Sequence, residues 1–62
     1  MKYTALIEID DDRWAKRPYS ITIFDKSGKR VDGKGYLTSR EECYRVSDKY
    51  EIPRGEIKEE FY

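Results

Sequence analysis

Two segments of the chain alternate between apolar and polar positions. Residues 2–9, KYTALIEI, place apolar side chains on one face and mostly polar ones on the other, and residues 19–25, YSITIFD, repeat the pattern. Successive side chains of a β-strand point to opposite faces, so a period of two predicts two half-buried strands. Their expected inward faces hold Tyr3, Ala5, Ile7 and Ile9 in the first strand and Tyr19, Ile21 and Ile23 in the second.

A third and weaker strand is predicted at residues 29–37, KRVDGKGYL. Residues 25–29 predict the turn that leads into it, because Gly28 can take a positive φ angle there. Gly33 and Gly35 weaken the strand, and they indicate a bulge or a place where a backbone or a ligand comes close.

After residue 38 the spacing of the expected inward-facing residues changes from two to three or four, which predicts a helix. Ser39 and Glu42 have the spacing of a capping box, and Thr38 with Glu41 offers the same pairing one residue earlier. The residues that recur at i, i+3, i+4 and i+7 form a narrow inward face. They are Cys43, Val46, Ser47 and Tyr50.

Glu51 and Pro53 are expected to end this helix. The tail, residues 55–62, is ambiguous. Ile57 and Phe61 are four residues apart, which suits a helical stripe, but they also share one face of a strand. We favour a short fourth strand.

These elements predict an α+β fold in a single domain, residues 1–62. The sheet is small and antiparallel, with three or four strands, and one helix packs on one of its faces. The order is β-β-β-α, or β-β-β-α-β if the tail forms a strand. The helix buries one sheet face and leaves the other to solvent.

A domain of 62 residues has little core and usually needs a further source of stability. Cys43 is the single cysteine, so the chain cannot form an internal disulfide, and without histidine a structural zinc site is excluded. Six Tyr, two Phe and one Trp instead favour aromatic packing or a homodimer. No cofactor is expected.

The composition also bears on location and source. No apolar run is long enough to span a bilayer, and the N-terminus lacks the apolar core of a signal peptide. With one unpaired cysteine, a cytoplasmic location is the simplest interpretation. The chain has no Asn, Gln or His and is 42% charged, which is typical of proteins from hot environments.

The net charge is zero, but the charges are segregated along the chain. Residues 13–34 hold seven Lys and Arg against two Asp, whereas residues 1–12 and 35–62 are both net acidic. The basic middle segment predicts a binding surface on the sheet, and the alternative is a hairpin whose cations are simply solvated.

Aromatic residues divide between the core and this surface. Trp14 together with Tyr19 or Phe24 is a candidate for the solvent side of the sheet, although for Trp14 the favoured interpretation is that it covers the edge of a small core. Three further tyrosines flank the helix and are expected in the core. They are Tyr36, Tyr44 and Tyr50.

A family resemblance covers residues 13–50. Trp14, the turn Gly28-Lys29-Arg30, the strand end Gly35-Tyr36-Leu37-Thr38 and the helix start Glu41-Glu42 resemble the sheet-plus-helix DNA-binding domain at the N-terminus of phage tyrosine integrases. This is the arm-binding type related to plant AP2 domains. The chain departs from the family in its zero net charge, in Cys43 where alanine is common, and in residues 1–12.

The resemblance implies that the sheet enters the major groove of double-stranded DNA, in a free-standing protein of viral or mobile-element origin without a recombinase domain. Lysines at the turn would meet phosphates. The residues that it points to as nucleic-acid-binding are Arg13, Trp14, Arg17, Thr22, Lys26, Lys29, Arg30 and Lys34.

Two other function classes remain. A virus- or phage-encoded module that inhibits or adapts a host protein complex could use surface aromatics, an exposed sheet edge, and the acidic groups Asp10-Asp11-Asp12 and Glu59-Glu60. An enzyme is disfavoured, because the chain has no histidine and Cys43 lies on the predicted inward face of the helix.

Overall fold

The computed structural model describes residues 2–11, 14 and 16–61. Within this part of the chain, no helix has the length and hydropathy needed to cross a membrane. The elements, in chain order, are β1 (Tyr3–Ile9), β2 (Tyr19–Asp25), β3 (Arg30–Leu37), α1 (Arg40–Asp48), a 3₁₀ turn (Arg54–Glu56) and β4 (Lys58–Phe61).

The described strands form one sheet in the order β3-β2-β1-β4. The α+β architecture, the three sequential strands, the helix and the fourth strand in the tail are all confirmed. β1 pairs with β2, and β2 with β3, in antiparallel fashion, as predicted. β4 pairs parallel to β1, so the sheet is mixed. The direction of this last strand was not predicted.

The helix is the connection that makes this parallel pairing feasible. β3 and β4 run in the same direction at opposite edges of the sheet, so the chain must cross the sheet between them. Parallel strands need a crossover of a dozen or more residues, usually a helix. Residues 38–57 supply that length, and α1 within them covers one face of the sheet.

The core lies between α1 and the inner face of the sheet. Ile7, Ile21 and Ile23 are fully buried there against Cys43 and Val46 of the helix. Ser47 is also buried, and its Oγ donates to the carbonyl oxygen of Tyr44 at 3.0 Å, which satisfies the hydroxyl without water. Both predicted strand faces and the predicted helix face are therefore confirmed.

The N-terminus of α1 is capped differently from the prediction. Ser39 is the N-cap residue of α1, but its side chain makes no capping hydrogen bond. The Glu42 carboxylate instead accepts from the backbone N–H of Thr38 at 2.6 Å and from its hydroxyl at 3.0 Å. The glutamate thus reaches one residue further back than in a capping box, and it ties the end of β3 to the first turn of the helix.

The C-terminus of α1 has the hydrogen bonds of a Schellman motif. The N–H of Ile52 donates to Ser47 and the N–H of Glu51 to Asp48, while Glu51 takes the left-handed φ of 58°. The motif places Ile52 in the core beside Val46, which is the apolar contact that usually accompanies it. Glycine is preferred at this position because a Cβ is strained there.

Replacement of Glu51 by glycine should therefore stabilise the protein. Removing the strain of a left-handed residue with a Cβ is expected to raise the free energy of unfolding by about 1 kcal/mol. Urea denaturation followed by circular dichroism measures the gain. Glu51→Ala is the matched control: it removes the same charge but keeps the Cβ, so a comparable gain in that variant would contradict the backbone explanation.

Candidate nucleic-acid interface

The face of the sheet away from α1 is uncovered, and we call it the outer face. In β2 it carries Ser20, Thr22 and Phe24, and the β3 partners of Thr22 and Phe24 are Gly33 and Arg30. A Cβ at Gly33 would lie 2.8 Å from Nη2 of Arg30 and 3.2 Å from the carbonyl oxygen of Ile21. The glycine therefore leaves room for the Arg30 side chain to lie against the strand. This agrees with the close approach that a glycine in the strand predicted.

Two irregularities in β3 decide which of its side chains reach the outer face. The pairing shifts between Tyr19 and Ile21 and again between Ile23 and Phe24, which confirms the expected bulging of this strand. After the shifts, Lys34 is the partner of Ile21, whose side chain points to the helix. The Lys34 side chain is therefore expected on the helix side, where it acts electrostatically on Glu42, although the residue also lines an outer-face groove with Thr22 and Arg30.

The β2–β3 turn is organised by one carboxylate. Oδ1 of Asp25 accepts from the backbone N–H of Ser27 at 2.9 Å, from its hydroxyl at 2.6 Å and from the N–H of Lys29 at 3.0 Å. Gly28 closes the turn with a φ of 88°, as predicted. Lys26 and Lys29 are exposed on this turn. These hydrogen bonds lower the pKa of Asp25, and the bond from the Ser27 hydroxyl has the largest effect.

The charge of Asp25 should consequently stabilise the fold in a pH-dependent way. Because its pKa is lowered on folding, the contribution is present above the ordinary value of 3.8 and disappears as the pH falls through the folded pKa. Asp25→Asn keeps an acceptor oxygen but no charge. Its urea midpoint should be below that of wild type at pH 7, and the difference between the two midpoints should disappear at acidic pH. Asp11→Asn, at an exposed loop position, is the control; an equal pH-dependent gap there would contradict a role for the turn.

Two lysines that the sequence analysis did not select join this turn in space. Lys2 lines a groove with Lys26 and a second groove with Lys49. Arg30 and Lys49 both act electrostatically on Asp32. Cations from three separate segments thus meet at one end of the molecule, which we call the basic end. It consists of Lys2, Lys26, Lys29, Arg30 and Lys49.

Three acids lie near the basic end: Asp25 and Asp32 accept hydrogen bonds, and Glu51 lines the groove of Lys2 and Lys49. Oδ2 of Asp32 accepts from the Tyr50 hydroxyl at 2.6 Å, and Oδ1 accepts from the N–H of Gly33 at 2.7 Å. The bond from Tyr50, followed by that from Gly33, lowers the pKa of Asp32. Asp25 and Asp32 organise the backbone near the lysines, and the five cations of the basic end outnumber these two aspartates and Glu51.

The other predicted binding residues lie at the opposite end of the sheet. Trp14 and Arg17 belong to the β1–β2 connection, and β2 separates that connection from Lys26. Seven residues of strand span about 20 Å. Arg13 lies outside the described residues. The structure therefore brings together Lys26, Lys29 and Arg30, with Thr22 on the adjoining outer face and Lys34 further along β3, and leaves Trp14 and Arg17 at the opposite end.

That opposite end exposes three aromatic side chains, and we call it the aromatic end. Trp14 is 79% exposed, Tyr36 81% and Phe61 65%. Tyr36 and Phe61 lie at this end of the strands but on opposite edges of the sheet, because Tyr36 belongs to β3 and Phe61 to β4. Trp14 belongs to the β1–β2 connection at the same end. The exposure of Trp14 rules out the favoured interpretation that it covers the core.

The expectation that Tyr36 belongs to the core is wrong, whereas Tyr44 and Tyr50 do pack against it. Tyr36 lies in the bulged part of β3 with a left-handed φ of 56°. A bulge turns a side chain away from the direction that strand alternation predicts. The left-handed backbone costs about 1–2 kcal/mol in a residue with a Cβ, and the exposed ring gives little packing in return.

The remaining chemistry concerns Cys43. Its thiol is completely buried in the core, and this burial is the main cause that raises its pKa to about 11. Such a thiol is a poor nucleophile, because the thiolate is the reactive form. Among the residues that the structure describes, no three His, Cys, Asp or Glu side chains are grouped as a metal site would require.

Cys43 should therefore resist alkylation in the folded protein. A rise in pKa from 9.0 to about 11 lowers the thiolate fraction at pH 8 about 100-fold, and burial slows the reaction further. Iodoacetamide labelling followed by mass spectrometry should show little adduct in buffer and rapid reaction in concentrated urea. Rapid labelling of the native protein would mean that the helix opens readily.

Comparison of the chain with protein-family models, with curated proteins and with solved structures finds no match. The function must therefore be argued from the arrangement of the residues themselves.

Proposed function

We propose that the protein is a small non-catalytic module that binds double-stranded DNA with its basic end and the adjoining outer face of β2 and β3, and that it acts in the cytoplasm. One observation supports the proposal: Lys2, Lys49 and the turn lysines come from separate segments, yet they lie together at one end of the molecule, with Lys49 at the end of α1 and Lys26 and Lys29 at the tip of the β2–β3 hairpin. A cluster of cations on one surface supplies the electrostatic part of nucleic-acid binding.

The position of β3 at the edge of the sheet suits insertion into DNA. The β2–β3 hairpin forms a two-stranded ribbon at the margin, and such a ribbon fits a major groove about 12 Å wide. Thr22 and Arg30 point outward from the ribbon and would face base edges, while Lys26 and Lys29 at its tip would meet phosphates.

The acidic residues of the outer face lie on the two strands beside this ribbon. Glu8 belongs to β1 and Glu60 to β4, and the two are partners in the parallel pairing. Along β1, Glu8 is opposite Ser20, near the start of β2, whereas Arg30 is opposite Phe24, near its end. Glu8 nevertheless lines one groove with Thr22 and Arg30, so a duplex that enters this groove also approaches its carboxylate.

Fluorescence anisotropy with a short labelled duplex tests the proposal. If the five cations of the basic end contact phosphates, log K should fall with log salt with a slope of about −4.5, which weakens binding by roughly a few hundred-fold between about 50 mM and 200 mM salt. Wild-type protein that does not bind the duplex at low salt would refute the proposed function.

A pair of variants with equal charge changes locates the site. Lys29→Glu alters the basic end, whereas Lys16→Glu makes the same change in the β1–β2 connection, at the opposite end of β2. We expect Lys29→Glu to weaken binding at least about tenfold and to make the salt slope shallower by about 0.9, with Lys16→Glu close to wild type. Equal losses in both variants would contradict the site.

A further inference from the structure

One groove of the basic end is lined by aromatic rings as well as by lysines. It lies between the start of β1 and the end of α1, and its volume is about 600 Å³. Pockets that bind small molecules have volumes of about 300–1,000 Å³, so this groove is large enough for one nucleotide. Lys2 and Lys49 are exposed in it, whereas Tyr3 and Tyr50 are half-buried and pack against the core. The remaining lining residue is Glu51.

The two tyrosine rings of this groove are held in place by the protein itself. The centroids of Tyr3 and Tyr50 are 5.0 Å apart and their planes meet at 67°, which is an edge-to-face contact. The Tyr50 hydroxyl also donates to Oδ2 of Asp32 at 2.6 Å. A ring that is already fixed loses little conformational freedom when a ligand packs on it, so the pair suits a flat ligand.

A second groove extends the first toward the β2–β3 turn. Its volume is about 360 Å³, and Lys26 of the turn lines it. Lys2 and Tyr3 line both grooves, so the two adjoin. Together they form a path from the turn to the end of α1, which we call the tyrosine path. It consists of Lys2, Tyr3, Lys26, Lys49 and Tyr50.

We propose that the tyrosine path binds the unpaired strand at the end of a DNA duplex. This inference rests on the proposed function, since the duplex itself would lie on the basic end. Proteins bind single strands with a positively charged groove that follows the backbone and with aromatic rings on which the bases stack. In the tyrosine path the lysines supply charge for the phosphates, and Tyr3 and Tyr50 supply rings for a base.

The acid in the first groove fits a base better than a phosphate. The carboxylate of Glu51 repels a phosphate, but it can accept a hydrogen bond from the amino group of a base. Within a duplex the bases stack on one another, whereas an unpaired base exposes a face that a tyrosine ring can contact. The part of the path near Glu51 therefore suits the base, and the part near Lys2 and Lys26 suits the backbone that leads to it.

Fluorescence anisotropy with three DNA molecules that share one duplex tests the path. One molecule is blunt, one has a short single-stranded overhang, and one has the same overhang without bases. At a fixed salt concentration the normal overhang should tighten binding at least about fivefold relative to the blunt duplex, which is the effect of stacking one base. The overhang without bases keeps the added phosphates, so it should retain only the smaller, salt-dependent part of this gain.

The outcomes separate the path from the proposed function. Equal binding of the blunt and overhang molecules would overturn the path and leave duplex binding intact, and equal binding of the two overhangs would overturn base stacking on the rings. Binding of the overhang molecule without the blunt duplex would refute the proposed function but support the path, while binding of neither would refute both. Displacement of the overhang molecule by a free mononucleotide at a similar concentration would overturn the strand end as the ligand.

Two tyrosine variants locate the stacked base. Tyr50→Leu removes a ring from the path, whereas Tyr44→Leu removes a half-buried ring of α1 that lies under the Arg54 guanidinium, outside the path. We expect Tyr50→Leu to lower the ratio of the affinities for the two overhangs at least about fivefold, with Tyr44→Leu close to wild type. Tyr50→Phe keeps the ring and should keep the ratio. Loss of folded protein weakens both affinities and leaves their ratio unchanged. A ratio that survives both Tyr50→Leu and Tyr3→Leu would place the strand elsewhere.

Discussion

The parallel pairing of β4 with β1 is the constraint on which the rest of the structure depends. It pairs Leu6 with Lys58 and Ile9 with Phe61, so strands from near the two ends of the sequence lie side by side. Because β3 ends at the far edge of the sheet, the chain must cross one face to reach β1 again, and α1 crosses the inner face. The helix follows from this crossing, and with it the division of the sheet into a buried face and an open one. Arg40 at the start of α1 then pairs with Glu59 of β4, which ties the two ends of the crossover together.

Local periodicity accounts for the parts of the fold that were predictable. Apolar residues alternate with polar ones in residues 3–9 and 19–25, because one face of each strand is buried. In the helix, burial of one face gives the spacing of three to four residues that Cys43 and Val46 show. The direction of β4 has no such local signal, since Lys58–Phe61 is fully exposed and its partner lies more than 50 residues away in sequence. Pairing over that separation is decided by the crossover and not by the strand's own residues.

The candidate site was less predictable for the same physical reason. Grouping charges along the chain identified Lys26, Lys29 and Arg30, but it missed Lys2, which lies far away in sequence. The antiparallel pairing of Tyr3 with Asp25 explains its position, because it brings the start of β1 to the turn. Strand alternation also could not place Lys34 or Tyr36, since two shifts in pairing change the faces of β3. Glycines in that strand indicated irregularity without showing which side chains it would redirect.

The irregular edge of β3 has a consequence for how the protein behaves in a crowded solution. A neutral chain lacks the repulsion that keeps most proteins dispersed, and open sheet edges are the usual starting points of aggregation. Here one edge is β3, which is bulged twice and carries Arg30, Asp32 and Lys34, and the other is β4, which has four residues, three of them charged. Neither offers the long, flat, apolar template that a fibril would extend. The bulges that redirect Tyr36 therefore also help to keep this small sheet from growing by the addition of further chains.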